Sequence, residues 1–470
     1  MDMEHKTSQQ MLETLEVFIR NQVQDKSAES LLHFAKIYFN YAAFDELSSR
    51  PIEDLYGAML SQWNQFLELP KGVEKIHIYN PTVEEHGWQS PHTVIEILLP
   101  DTVFILQSVT MEINRYGFAN QLVLHPIYWV QRSKVGKLKG LSDKEVTGAV
   151  KESVLHIEID RQSDPDVIEQ LKNSLLGVLD DVRAATCDWA LCVSEMQSEV
   201  ARLKKQKNPK QQETIEFLEW IEDNHFVFLG YREYSISEKA GEYGFSVVPK
   251  TGLGILREDM AKIPEGNFLA ISPDAYAVLN TDNALMITNA TSKSTVHRSV
   301  FMDYIGIKQY DKQGIVIGEK RFLGLYSSSA YSCELDTIPL VREKIQSLMQ
   351  RSEFINSSHT VRSLLFVLSS LPRDELFQAQ LSDLFEYSLG TLQLQERQRV
   401  RVFVRHDIYG HFVSLLIFVP RERYHTESRK KIQQILVSVF KGEDTEFSVK
   451  LNESILARIH FVIHSKEGCS

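Results

Sequence analysis

Cysteine is scarce: the 470 residues hold four, at Cys187, Cys192, Cys333 and Cys469. Cys187 and Cys192 lie five apart, but no second pair sits at zinc-ligand spacing, so neither a structural zinc site nor a disulfide framework is expected. Long apolar runs are missing as well. No run reaches the roughly 18 apolar residues that a membrane-spanning helix needs. The first residues, MDMEHKTSQQ, lack the basic-then-apolar order of a secretory signal. Positive charge falls short of negative, 51 Lys and Arg against 63 Asp and Glu, and the net −12 argues against a general nucleic-acid binder. The expected class is a soluble protein of a reducing compartment, too long for a single core and divided into roughly two to four domains.

The common catalytic signatures are absent too. There is no G-x-x-x-x-G-K-[ST] phosphate loop, and LYSSSAYS (Leu325–Ser332) is not a G-x-S-x-G elbow. TGLGIL (Thr251–Leu256) has two glycines without the G-x-G-x-x-G spacing or a following helix, so it predicts a tight turn rather than a dinucleotide site.

Periodicity is what the chain does have. Residues 1–70 read as helical, with Leu55, Met59, Trp63 and Phe66 on one stripe. The period then changes. EKIHIYN and HTVIEILLP alternate as strands, and Pro100-Asp101 ends the second, with Asp101 expected as the cap of the next helix. NQLVLHPIYWVQR and ESVLHIEIDR read as further strands, and Asp164-Pro165 opens a second helix. The order predicts one antiparallel sheet with helices on one face, most of a split β-α-β sandwich. Residues 183–224 read as helical and charged, and a β-rich region follows from 225. Residues 358–397 return to helix. The last segment has the order β-β-α-β-β. In RVRVFVRHD, Val400, Val402 and Val404 share one face and Arg399, Arg401 and Arg405 the other. Arginine on a strand is costly inside a core, so that face is expected to meet water, a partner subunit or an anionic ligand.

NPTVEEHGWQSPHTVIEI (Asn80–Ile97) looks most like chemistry, with two histidines, carboxylates and a tryptophan. His86 and His92 are six apart across Pro91, which fits neither helical nor strand ligand spacing. The blander expectation is a loop that seats Trp88 on the sheet while the histidines satisfy backbone groups. NATSKSTVHR (Asn289–Arg298) reads as a solvated hairpin before it reads as an anion site.

At this point the sequence resembles a family, the large NAD-specific glutamate dehydrogenases of bacteria, in their N-terminal part. The resemblance rests on long stretches in one order over roughly residues 50–465. Among them are DLYGAMLSQW, NPTVEEHGWQSPHTVIEI, SVTMEINRYG, SVLHIEIDRQ, HFVFLGYREY, KSTVHRSVFMDYIGIK, RFLGLYSSSAY, LQLQERQRVRVFVRHDIYG and LARIHFVIH.

The resemblance implies an α+β chain of ACT-like (ferredoxin-like) α/β sandwiches and a PAS-like β-rich domain joined by helical segments. It implies an N-terminal helical segment over 1–70, a first ACT-like domain over 71–183 and a helical linker over 184–224. A PAS-like or second ACT-like region follows over 225–345, then helices over 346–398 and the start of a further ACT-like domain over 399–470. The whole enzyme would be a cytoplasmic oligomer that oxidatively deaminates L-glutamate to 2-oxoglutarate and ammonia with NAD. The family's catalytic lysines and nucleotide-binding glycines have no counterpart in these residues, so no catalytic, cofactor-binding or metal residue is carried over. No nucleic-acid or membrane partner is implied. ACT-like domains bind amino-acid effectors near the first strand-helix turn, here Leu99, Pro100, Asp101 and Thr102. Arg399, Arg401 and Arg405 form the second candidate, an interface or anion face. Two other readings stay open: a purely structural assembly module from a truncated reading frame, and an unrelated enzyme using the His86/His92 loop.

Overall fold

Proline offers no N–H to a strand ladder. In the computed structural model of the chain, Pro126 accordingly divides the expected long strand into Asn120–Leu124 and Ile127–Arg132. The structure describes residues 2–23, 27–40, 44–239, 241–260, 268–279, 281, 283–351, 358–394, 397–451 and 455–465. Cys469 lies outside them. The chain forms two compact units, Met1–Thr186 with Thr295–Ser299, and Cys187–Ser294 with Val300–Ser470. It is a mixed α+β chain with several antiparallel sheets.

Among the described residues the first unit holds a six-stranded antiparallel sheet in the order Lys75–Tyr79, Thr93–Pro100, Val150–Ile159, Ile127–Arg132, Leu138–Ser142. Asn120–Leu124 also pairs with Val150–Ile159. The expectation of helices on one face is corrected, because both faces are covered. One face carries Leu98, Leu122, Tyr128, Val130 and Val154, in one buried cluster with Phe34, Tyr38, Trp63 and Phe66 of the N-terminal helices. The Phe34 and Tyr128 rings stack at 4.8 Å. The opposite face carries Ile95, Ile97, Leu155, Ile157 and Ile159, all fully buried. Helices Ile105–Arg115 and Pro165–Gln206 bury Val109, Ile113, Leu171 and Leu175. A strand buried on both faces has no room for a solvated side, so any polar residue in it must find a partner inside.

The second unit contains two sheets among the described residues. The first runs Phe268–Ala270, Glu242–Val247, Phe226–Lys239, Val316–Tyr326, Phe301–Tyr310, Leu285–Lys293, with Leu253–Gly254 paired to Phe226–Lys239. The other runs Arg401–His406, Phe412–Pro420, Leu456–His464, Asp444–Leu451. Helix Thr426–Phe440 lies on it through Ile432, Leu436 and Phe440, against Leu415, Ile417, Ile459 and Phe461. Ile435 and Val439 are exposed. One buried cluster joins Phe228 and Phe322 of the larger sheet, Leu368, Phe377 and Leu384 of the helices between, and Phe403, Leu416 and Phe418 of the smaller sheet.

The strand Arg401–His406 reverses its expected orientation. Val402 and Val404 are 44% and 46% exposed, while Phe403 and Arg405 are 2% and 8%. Phe403 decides the matter. It shares a face with Arg405 and fills the core beside Tyr387 and Phe418.

Candidate functional site

The turn after strand Thr93–Pro100 differs from the sequence expectation in one respect. Asp101 does not cap the helix. Helix Ile105–Arg115 starts behind Phe104, which has φ 73° and offers no side-chain cap. Asp101 instead accepts a hydrogen bond from the Ser153 hydroxyl at 2.6 Å, and His125 Nε2 lies 3.0 Å from the same hydroxyl. Burial pushes the His125 pKa below its ordinary value, against the pull of Asp101. Leu99 is buried, Pro100 is exposed and Thr102 is partly exposed. The segment Thr295–Ser299 belongs to this same unit. His297 N–H donates to Ser108 Oγ at 3.0 Å, in the first turn of the helix, and its ring lies 4.9 Å from Phe104. Thr295 donates to Asp181 at 2.6 Å. The result is a helix N-terminus without a side-chain cap, with a carboxylate beside it and a second segment packed over its first turn.

The stretch Asn80–Ile97 is a fastening. Asn80 Nδ2 donates to the Gln162 carbonyl and its Oδ1 accepts from Thr93. Thr82 caps the short helix Val83–His86, and Gly87 closes it at φ 75°, in the left-handed region that suits glycine. His86 Nδ1 accepts from the Thr82 N–H at 3.3 Å, and its ring stacks on Tyr79. Trp88 is 2% exposed and packs on Gly57, where a Cβ would come within 2.3 Å of it. Gln89 N–H donates to Asp54, and Ser90 O accepts from Arg161. His86 and His92 are not brought together as ligands. Among the described residues no group of three His, Cys, Asp or Glu side chains could hold a metal ion.

Behind this stretch lies a feature that the sequence reasoning missed. Glu158, fully buried, accepts from Arg50 at 2.5 Å and 3.1 Å and from Ser90 Oγ at 3.0 Å, with His156 Nε2 at 3.4 Å. Burial alone would raise its pKa. The hydrogen bonds from His156 and Arg50 outweigh burial and hold it at about 2. Next to it is a cavity of about 300 Å³, bounded by Tyr38, Arg50, Trp88, His92 and His156. The signal was in the sequence. In SVLHIEIDR the alternation puts Leu155, Ile157 and Ile159 on one side, and it puts His156 and Glu158 on the other side of a strand too apolar to be solvated.

The arginine candidates separate. Arg399 is exposed and precedes the strand, and Arg401 is exposed with its guanidinium 5.3 Å from the Phe403 ring centre. Arg405 does not face water. It is 8% exposed and forks onto Glu375 at 2.9 Å and 2.6 Å, with Gln378 Oε1 at 3.0 Å. Ser414 Oγ donates to Glu375 at 2.7 Å, and His460 Nε2 lies 2.8 Å from Ser414 Oγ. Burial opposes the ionised Glu375, but Arg405 and His460 hold its carboxyl well below the usual range. The pair explains how an arginine sits in a core: a bidentate carboxylate meets it there.

TGLGIL makes the predicted tight turn, and the N–H groups of Gly254, Ile255 and Leu256 are occupied. Gly254, at φ 60°, gives its N–H to Asp188 at 2.8 Å, and Arg257 forks onto the same carboxylate. A Cβ at Gly254 would lie 2.1 Å from the Leu229 carbonyl oxygen. A pyrophosphate cradle needs free N–H groups at a helix N-terminus, so this turn does not fit a dinucleotide.

Residues 34–175 match the model for the glutamate dehydrogenase ACT1 domain, 338–397 that for its helical motif 1, and 401–469 that for its ACT2 domain. The chain is 36% identical over 455 residues to the NAD-specific glutamate dehydrogenase of Pseudomonas aeruginosa, covering 96% of this chain and 28% of that protein. It is 35% identical over 449 residues to that of Halomonas elongata, covering 94% and 28%. To that of Mycobacterium tuberculosis it is 26% identical over 370 residues, covering 77% and 22%. The chain thus spans less than a third of the length of these relatives.

Proposed function

We propose, from the premise that this chain belongs to the glutamate dehydrogenase family through its ACT1, helical motif 1 and ACT2 regions, that it is the regulatory and assembly part of an NAD-specific enzyme. The observation that carries this is the order of the three matched regions along a chain that spans only 28% of its first two relatives. The whole protein would convert L-glutamate, NAD and water to 2-oxoglutarate, ammonia and NADH. NAD would bind outside these residues, in keeping with the occupied turn at Gly254. Among the described residues no helix is long and apolar enough to cross a membrane, and we place the enzyme in the cytoplasm as a homo-oligomer.

The finer assignments belong to the same proposal. We assign 71–183 and 399–470 as ACT-like, and 225–345 as PAS-like for its antiparallel sheet. An amino-acid effector would sit at Leu99–Thr102. Its carboxylate would meet the N–H groups of helix Ile105–Arg115, and its amine would meet Asp101. A purely structural role is the second reading, favoured by the way Thr295–Ser299 already covers part of that helix N-terminus.

Calorimetric titration of the chain with the twenty amino acids tests the effector site. At least one amino acid is expected to bind, and Asp101→Ala to weaken it about tenfold or more. No heat with any of them leaves the structural reading. Glutamate-dependent NAD reduction by this chain alone would overturn the non-catalytic assignment.

A further inference from the structure

On the polar face of the smaller sheet, Arg458 stands unmet. It is 9% exposed, and its Nε and Nη1 are buried without a hydrogen-bond partner. Directly opposite on the neighbouring strand is Lys450, a second cation. Like charges facing each other across a sheet repel, and an unpaired guanidinium inside a protein is the arrangement that structures most consistently avoid. Burial pushes Arg458 down to about 10, and Lys450 is lowered by burial and then by Arg458 and Arg373.

Arg458 opens into a cavity of about 510 Å³. Arg362 of helix Ser358–Ser370 adds a third cation to its lining, and among the described residues no carboxylate lines it. A second orphan is there as well: the Oγ1 of Thr391 is buried and without a partner. Besides Ser363 and Ser370 the remaining walls are apolar, chiefly Phe366, Leu392, Phe418 and Leu456. Phe366 is 64% exposed.

We propose that this cavity binds a small organic oxyanion. Its carboxylate or phosphate head lies on Arg458, Lys450 and Arg362 and accepts from Thr391 Oγ1. Its apolar body lies against Phe366, Leu392 and Phe418. A carboxylate side chain of another protein would satisfy the charge but would leave most of the volume and the apolar wall unfilled. A metabolite-sized anion accounts for both orphans, the three cations and the apolar wall together. The glutamate–arginine pair Glu375–Arg405 in the same unit shows the alternative, a buried arginine met by a carboxylate of the chain itself. The site is separate from the Leu99–Thr102 turn, and its failure would leave the effector reading intact.

The test uses the 470-residue chain and four probes in calorimetric titration: 3-phenylpropionate, phenyl phosphate, inorganic phosphate and the neutral 3-phenylpropionamide. Both phenyl anions are expected to bind, one of them more tightly, which identifies the head group. Inorganic phosphate should bind more weakly and the amide not at all. Arg458→Gln should weaken the anions about tenfold or more without loss of the folded state, because it removes an unpaired charge. Leu392→Trp fills the apolar wall, leaves every cation in place, and should weaken the phenyl anions while sparing inorganic phosphate. The proposal is overturned if neither phenyl anion binds, if the amide binds as well as the acid, or if both variants bind like the unaltered chain.

Discussion

Two central strands, Val150–Ile159 in the first unit and Leu456–His464 in the second, obey one pattern with different outcomes. Each follows an edge strand, a central strand and a helix, and each pairs antiparallel with the strand before that helix. Each has an apolar run on one side. Leu155, Ile157 and Ile159 correspond to Ile459, Phe461 and Ile463, all fully buried. On the other side of each strand lie buried polar residues, His156 and Glu158 in the first, Arg458 and His460 in the second. In the first strand the charge is closed: Glu158 is met by Arg50, Ser90 and His156. In the second, His460 joins the Glu375–Arg405 network but Arg458 is left over. Repetition of a fold fixes the apolar side of a strand. The polar side is free to be a closed joint in one copy and an open pocket in the other.

Removing one partner from each closed joint separates the two most sharply. Glu375→Ala strands Arg405 in a fully buried setting and should destabilise by about 3–5 kcal/mol. Arg50→Ala should cost less, about 1–3 kcal/mol, because the Arg50 side chain is 23% exposed and water can replace part of its bond to Glu158. Denaturant unfolding, with hydrogen exchange to tell the units apart, measures both. Equal losses would break the contrast between a deep and a shallow joint.

Acid probes the same joints. Glu158 is ionised in the folded state down to about 2, below its ordinary value of 4.5. Its contribution, roughly 3 kcal/mol, is therefore present above the unfolded pKa and lost as the pH falls from about 4.5 to about 2. Glu375 shifts in the same direction. Protection of Val150–Ile159 against hydrogen exchange should fall across that window, and Arg50→Ala should flatten the fall. An unchanged profile in the variant would detach Glu158 from Arg50.

The smallest effect belongs to the strand whose orientation was unexpected. Val404→Ser should change stability by no more than about 0.5 kcal/mol, since Val404 is 46% exposed. A loss above about 1 kcal/mol would mean that this side is covered after all.

Legibility followed the physics of single elements. The TGLGIL turn and the strand–helix order around Ile105–Arg115 rest on local torsional preference and periodicity, and they were visible in the sequence. The orientation of Arg401–His406 was not. Its two faces alternate cleanly in the sequence, but Phe403 took the core side beside Tyr387 and Phe418, and Glu375, 30 residues upstream, let Arg405 follow it there. Asp101 misled for a similar reason. It is a good capping residue, yet Ser153 from a strand 52 residues on holds its carboxylate, and Phe104 starts the helix instead. The two histidines of Asn80–Ile97 suggested chemistry because composition is blind to direction. One ring stacks on Tyr79, and His92 only borders the cavity beside Glu158.

What the sequence determined by itself was the kinship, the alternation of helices and strands, and the apolar faces of the two central strands. All of these depend on residues near one another in the chain. Tertiary structure alone decided which buried charges were matched, because a guanidinium and its carboxylate meet across long separations. Arg50 and Glu158 stand 108 residues apart. Arg458, by the same rule, has no protein acceptor among the described residues, and a long-range contact that is missing leaves no trace in the spacing of a sequence.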